Sequence, residues 1–67
     1  MDAVIRKAIK VAGGVRKLSR KIGVTHAAIL GWHRVPAERV MAIEAATGIP
    51  RSVIRPDIFP PERERNQ

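Results

Sequence analysis

Glycine and proline residues interrupt this chain so often that only short regular elements fit between them. The interruptions fall at Gly13-Gly14, Gly23, Pro36, Gly48, Pro50 and Pro56. Between them, apolar residues recur three and four positions apart, which is the spacing of one helix face, and no alternation is long enough for a paired strand. With 67 residues in all, the chain is predicted to form one all-α domain, a compact four- to five-helix bundle.

The first two helices have well-defined ends in the sequence. Asp2 is a good N-cap for the first helix, and Gly13-Gly14 ends it. The second helix is predicted over Val15–Ile22, with Gly23 as the left-handed residue that terminates it. Apolar residues lie on one face of this second helix and basic residues lie on the other.

The third and fourth helices are predicted on either side of a break at a proline. Thr25 caps a third helix over residues 26 to about 33. Pro36 lies in the first turn of a fourth helix, where its missing N–H costs nothing, and Gly48 ends that helix.

The C-terminal region is predicted to be less regular. One helical turn fits near Arg51–Ile54, and residues 57–61 are expected to be extended. The predicted domain covers residues 1–60. Residues 61–67, which are mostly charged and polar, are predicted to be a short disordered tail.

Positive charge is confined to one half of the chain. From Met1 to Arg34 there are eight Lys and Arg residues against one acidic residue, whereas from Val35 to Gln67 five arginines face five acidic residues. The formal net charge of +7 therefore belongs to the first half. A one-sided basic field indicates a polyanionic partner, which is DNA, RNA or an anionic membrane.

The segment from Val15 to Arg34 has the layout of a helix-turn-helix. Leu18 and Ile22 lie on the inner face of the second helix, and Gly23 is the turn. Val24 enters the core just after it, and the inner positions of the third helix are Ile29 and Trp32. A tight turn with a left-handed residue sets two such helices at a steep angle, so that the second can enter the major groove. The alternative is an ordinary helical hairpin in a small bundle.

Several runs of residues resemble a known family of regulators. They are residues 12–25 (AGGVRKLSRKIGVT), Ile29 with Trp32, residues 35–40 (VPAERV) and residues 43–48 (IEAATG), which look like Cro-type phage repressors, and residues 54–59 (IRPDIF), which look like YdaS-type prophage regulators. The resemblance covers residues 2 to about 60. It departs from the family pattern at Val15, Ser19 and Leu30-Gly31, so neither a phosphate contact by Val15 nor a target sequence carries over.

The resemblance implies a lambda-repressor-like helical fold and a sequence-specific repressor of a phage or prophage switch. It also implies a homodimer on a pseudo-palindromic operator in double-stranded DNA, in the bacterial cytoplasm. A weak dimer is expected to form only on the DNA.

The outward residues of the third helix are the candidates for reading bases, namely His26, Ala27, Leu30, Gly31 and Arg34. His26 can hydrogen-bond a base edge or a phosphate, and otherwise it is simply a solvated residue. Ala27 and Leu30 are suited to thymine methyl groups, although Leu30 is equally suited to packing on its own domain. Gly31 is explained either by close approach to DNA or by neutral drift. Arg34 is suited to guanine or to phosphate.

A second set is expected to bind phosphates: Arg16, Lys17, Arg20, Lys21, Thr25 and His33. A basic face is commonly only a solubilising surface, but this one carries no acidic residues and borders the predicted reading helix. Arg16 and Lys17 also lie at a helix N-terminus, where backbone N–H groups favour an anion. Lys7 and Lys10 extend the patch.

The neutral half supplies a candidate dimer or partner interface in Met41, Ile49, Val53, Ile58 and Phe59. Some of these apolar residues are needed to close the core over Trp32, whose position three after Ile29 favours packing over base stacking. The alternative is that all five cap the core.

Other functions remain as competing hypotheses. An antitoxin-like or regulatory module would bind a protein through the neutral half, and an RNA or nonspecific binder would show no preferred duplex sequence. No catalytic set, metal site or cofactor motif is present in the sequence, so no enzymatic activity, cofactor or small-molecule ligand is expected. No apolar run is long enough to span a membrane.

Overall fold

The computed structural model describes residues 2–61, and all regular elements in that range are helical. The helices are α1 (Ala3–Ala12), α2 (Val15–Ile22), α3 (His26–Leu30), α4 (Val40–Thr47) and α5 (Arg51–Ile54), with a 3₁₀ turn at Ala37–Arg39 before α4. The predicted all-α, five-helix fold is confirmed. Residues 62–67 of the predicted tail lie outside the described residues.

The ends of α1 and α2 follow the capping chemistry that the sequence predicts. The Asp2 carboxylate accepts a hydrogen bond from the Val4 N–H at 3.0 Å. Gly13 ends α1 with a φ of 93°, and Gly23 ends α2 with a φ of 76°. These left-handed conformations cost a glycine little and other residues more.

Helix α2 packs against α1, α3 and α4, and its inner face is the centre of the core. The side chain of Leu18 is fully buried there. The surrounding core is completed by Ile5, Ala8, Ala12, Ile22, Ile29, Val35, Val40, Ile43, Ile49 and Ile54. Trp32 is half-buried against this cluster, which agrees with its predicted packing role.

Helix α3 is shorter than predicted, because it ends at Leu30 and not near His33. The Gly31 N–H donates to the carbonyls of Ala27 and Ala28, both at 3.1 Å, and the Trp32 N–H donates to Ile29 at 3.1 Å. The bonds to Ala28 and Ile29 span three residues where an α-helical bond spans four, so they tighten the last turn and end the helix. His33 and Arg34 therefore lie in the loop that follows α3.

Two further predictions about proline-containing segments are wrong. Pro36 lies before the helical region, with a ψ of 144°, so it is outside the first turn and is followed by the 3₁₀ turn. Residues 57–59 are not extended, because the N–H groups of Ile58 and Phe59 both donate to the Arg55 carbonyl, at 3.2 and 2.9 Å. Pro56 suits such a turn, since its fixed φ matches the second position.

Arg55 ties this C-terminal turn to the loop after α3. Its Nη1 donates to the Val35 carbonyl at 2.7 Å, while its Nε and Nη2 donate to the two carboxylate oxygens of Asp57 at 2.9 and 2.7 Å. These hydrogen bonds from Arg55 are the main reason that the pKa of Asp57 falls from 3.8 to about 2. The hydrogen bond from Arg55 to Val35 thus joins parts of the chain that are 20 residues apart in sequence.

Within residues 2–61, no helix combines the length and the apolar character that crossing a membrane requires.

Replacing Leu18 with alanine is expected to lower the free energy of unfolding by about 2–5 kcal/mol, the usual cost of such a core cavity. That loss is comparable to the whole stability of about 3–5 kcal/mol expected of a domain this small. Urea denaturation followed by circular dichroism measures it. Leu30→Ala is the matched control, and because Leu30 is exposed it should change stability by less than about 0.5 kcal/mol. Equal losses for the two variants would contradict the packing.

Replacing Asp57 with asparagine is expected to lower the melting temperature at neutral pH. The folded pKa of Asp57 lies below its ordinary value, so the carboxylate stabilises the fold above about pH 3.8 and loses this effect as the pH falls through about 2. The difference in melting temperature between parent and variant should narrow below about pH 4. A difference that stays constant down to pH 2 would mean that the ion pair does not form.

Candidate nucleic-acid interface

The turn between α2 and α3 is closed by its own backbone. The N–H groups of Gly23 and Val24 both donate to the Ser19 carbonyl, at 2.9 and 3.2 Å. Val24 packs against the core, and Ile29 is fully buried on the inner side of α3. The two helices pack on each other across this turn, which is the arrangement of a helix-turn-helix.

Thr25 begins α3 as its N-cap. The Thr25 hydroxyl oxygen accepts a hydrogen bond from the Ala28 N–H at 3.1 Å. Of the predicted base-reading residues, the structure brings His26, Ala27, Leu30 and Gly31 together on or at the end of this helix. Ala27, Leu30 and Gly31 are exposed, and His26 is half-buried.

Arg34 is separated from that group by the early end of α3. Its side chain is exposed, and Nη1 lies 3.5 Å from the Asp57 carboxylate. Because both side chains are exposed, a pair at this distance contributes little to stability. The sequence did not indicate this pairing, because Asp57 reaches Arg34 only through the turn that Arg55 holds.

The basic residues predicted to bind phosphates share the outer surface of α2. Arg16, Lys17, Arg20 and Lys21 are all exposed, and the buried residues of the helix are Leu18, Ser19 and Ile22. Ser19 satisfies its hydroxyl by donating to the Arg16 carbonyl at 2.7 Å. Among the described residues, no acidic side chain forms a salt bridge with any of the four cations, so their charge is directed at solvent. This group is called the α2 basic face below.

Arg51 and Arg55, in the C-terminal half, are paired with carboxylates instead. Arg51 donates to Glu44 from its backbone N–H at 2.8 Å and from Nε at 3.1 Å. The backbone hydrogen bond is the largest cause of the lowered pKa of Glu44. Arg55 is paired with Asp57, and that hydrogen bond raises the pKa of the Arg55 guanidinium. These two arginines therefore differ in pairing from the four cations of the α2 basic face.

The predicted interface residues separate into three groups by their exposure. Ile49 is 4% exposed and belongs to the core, so its assignment to an interface is wrong. Its place after Gly48 turns it inward between α4 and α5. Phe59 is half-buried against the core, with its ring centroid 5.8 Å from the Arg51 guanidinium carbon. Met41, Val53 and Ile58 are exposed.

The polar and acidic groups of residues 2–61 include no cluster of three or more His, Cys, Asp or Glu side chains that would hold a metal ion.

Comparison with known proteins gives one family. The family model described as "Bacterial toxin YdaS" matches residues 5–63, which include α2, α3, α4 and α5 in full. Neither the curated proteins nor the solved structures give a match. The resemblance to YdaS-type proteins is thereby confirmed for most of the chain, and the chain belongs to the bacterial YdaS family.

Proposed function

We propose that this protein is a transcriptional repressor that binds a specific sequence of double-stranded DNA, inserts α3 into the major groove and acts without catalysis. The observation that carries the proposal is the α2 basic face, which lies on the helix that packs directly against α3. A helix-turn-helix places these two elements against the phosphate backbone and the base edges respectively.

The α2 basic face supplies the phosphate contacts in this proposal. Arg16 and Lys17 lie in the first turn of α2, whose N-cap Gly14 offers no side chain to its backbone N–H groups. Those groups and the positive end of the helix dipole favour a phosphate. Thr25 and His33 flank α3 and make further contacts with phosphates of the DNA backbone.

Helix α3 supplies the base contacts, through His26, Ala27, Leu30 and Gly31. Ile29 is buried, so the residues about half a turn from it point outward, and these are Ala27 and Gly31. Small residues at the centre of the outward face let the helix backbone come close to the base edges. Arg34 contacts a guanine or a phosphate next to the helix, since its exposed pair with Asp57 exchanges readily.

The proposed repressor binds as a homodimer on a pseudo-palindromic site. Met41, Val53 and Ile58 are exposed apolar residues in the half of the chain where charges balance. Little repulsion opposes association there. A small interface of this kind gives weak dimerisation in solution and stronger dimerisation on DNA.

A second candidate is a module that binds another protein, with DNA binding secondary. The same exposed apolar residues support it, together with the description of the family model as a bacterial toxin. This candidate predicts that Met41→Ala or Ile58→Ala abolishes binding of the partner protein, while the monomer still binds duplex DNA.

Lys17→Ala is expected to weaken binding to all duplex sequences alike. Each phosphate that a cation neutralises contributes about −0.9 to the slope of log K against log salt concentration, so the slope should become shallower by about that amount. Fluorescence anisotropy with labelled duplexes across a salt series measures it. Arg51→Ala is the control, because it also removes one positive charge but from a residue paired with Glu44.

The expected control result is an unchanged salt slope for Arg51→Ala. If Lys17→Ala instead altered which sequence is preferred, α2 would lie in the groove and the proposed docking would be wrong. If duplex and single-stranded DNA bound equally well, the protein would be a nonspecific nucleic-acid binder.

Gly31→Ala is expected to stabilise the protein and weaken its DNA binding. Gly31 has a φ of −87°, and an added Cβ would meet only the Ala27 and Ala28 carbonyl oxygens at an ordinary 3.6 Å. The substitution should therefore raise the free energy of unfolding by about 0.4–1 kcal/mol. The new methyl group would lie between α3 and the bases, which lowers duplex affinity. Higher stability with unchanged affinity would show that Gly31 does not approach the DNA.

A further inference from the structure

The exposed surface of α3 consists mainly of apolar residues. Ile29 is fully buried, and the residues on either side of it in the sequence, Ala27, Ala28, Leu30 and Gly31, are all exposed. None of these four side chains has a hydrogen-bonding atom. These residues can therefore offer a partner only apolar side-chain contacts.

Leu30 dominates this surface. It is 56% exposed, more than any other large apolar side chain among the described residues. The sequence alone left open whether Leu30 packs on its own domain, and its exposure decides against that. The side chain is available to a partner.

Polar side chains near α3 are engaged elsewhere or lie off the helix. The Thr25 hydroxyl oxygen caps the helix at Ala28 N–H, 3.1 Å away. Arg34 lies beyond the end of α3, in the loop that follows it, with Nη1 3.5 Å from the Asp57 carboxylate. Half-buried His26 is left as the one polar side chain within α3 itself.

The major groove offers one apolar feature, the C5-methyl group of thymine, beside hydrogen-bonding edges that distinguish the base pairs. We infer that α3 recognises thymine through this methyl group, with Leu30 as the principal contact and Ala27 as the second. The inference rests on the proposed function and specifies which chemical feature of duplex DNA the reading helix takes.

The test compares thymine with deoxyuridine, which keeps the same base pairing and lacks only the methyl group. A tight-binding duplex is first selected from a randomised pool, and each thymine is then replaced singly by deoxyuridine. Burying one methyl-sized group contributes about a fourfold factor in affinity, so replacement at a contacted position should weaken binding about fourfold. Anisotropy titration of each duplex gives the ratio.

Leu30→Ala identifies the side chain responsible. In this variant, the ratio of affinities for the thymine and deoxyuridine duplexes should fall toward one at the position that Leu30 contacts. Val11→Ala is the matched control, because Val11 is an exposed apolar residue on α1, and it should retain the full penalty. Circular dichroism of both variants verifies that they fold. The comparison of thymine and deoxyuridine duplexes uses the parent protein, so it does not depend on the folding of any variant.

The outcomes separate this inference from the proposal beneath it. Equal binding of thymine and deoxyuridine duplexes at every position overturns methyl recognition and leaves sequence-specific DNA binding standing. A penalty that persists unchanged in Leu30→Ala and in Ala27→Gly overturns the assignment to α3. Failure of the parent protein to prefer any duplex overturns both.

Discussion

The turn between α2 and α3 determines how the rest of the candidate interface is arranged. Gly23 adopts a left-handed backbone with a φ of 76°, and its N–H and that of Val24 close on one carbonyl, that of Ser19. Leu18 and Ile29, fully buried on the two helices, then lock the pair against the core. Because the inner faces are held in this way, the positions of the α2 basic face and of the exposed apolar residues of α3 are determined as well.

Pairing with carboxylates distinguishes two arginines of the second half from the cations of the α2 basic face. In the second half, Arg51 and Arg55 are bound to Glu44 and Asp57, and those hydrogen bonds lower the pKa values of both acids. The cations of the α2 basic face form no salt bridge within the described residues. Concentrated like charge opposes compact folding. In the proposed function, the phosphates of DNA would neutralise this charge.

Local chemistry made much of the fold predictable from the sequence. Asp2, Thr25, Gly23 and Gly48 mark helix ends because each acts on backbone groups within a few residues of itself. The helical period likewise identified Leu18, Ile22 and Ile29 as core residues.

Predictions failed where distant parts of the chain decide the conformation. The turn at residues 57–59 depends on Arg55, whose guanidinium binds the Val35 carbonyl 20 residues earlier. The apolar pattern also continued to Trp32 although α3 ends at Leu30, because a side chain in a loop can still fill the core. For the candidate site, the sequence correctly placed the α2 basic face at the surface. It did not indicate that Arg34 leaves the helix and lies near Asp57, nor that Ile49 is buried.

Selection of binding sites by the purified protein from a randomised pool of duplex DNA, in moderate salt, tests the central claim most directly. The account predicts recovery of a two-fold symmetric motif with half-sites about one helical turn apart, since each protomer would place one α3 in the major groove. Recovery of no motif, with binding that disappears as salt rises, would contradict it. The α2 basic face would then be an electrostatic surface only, and the exposed apolar residues of the C-terminal half would be the place to seek a protein partner.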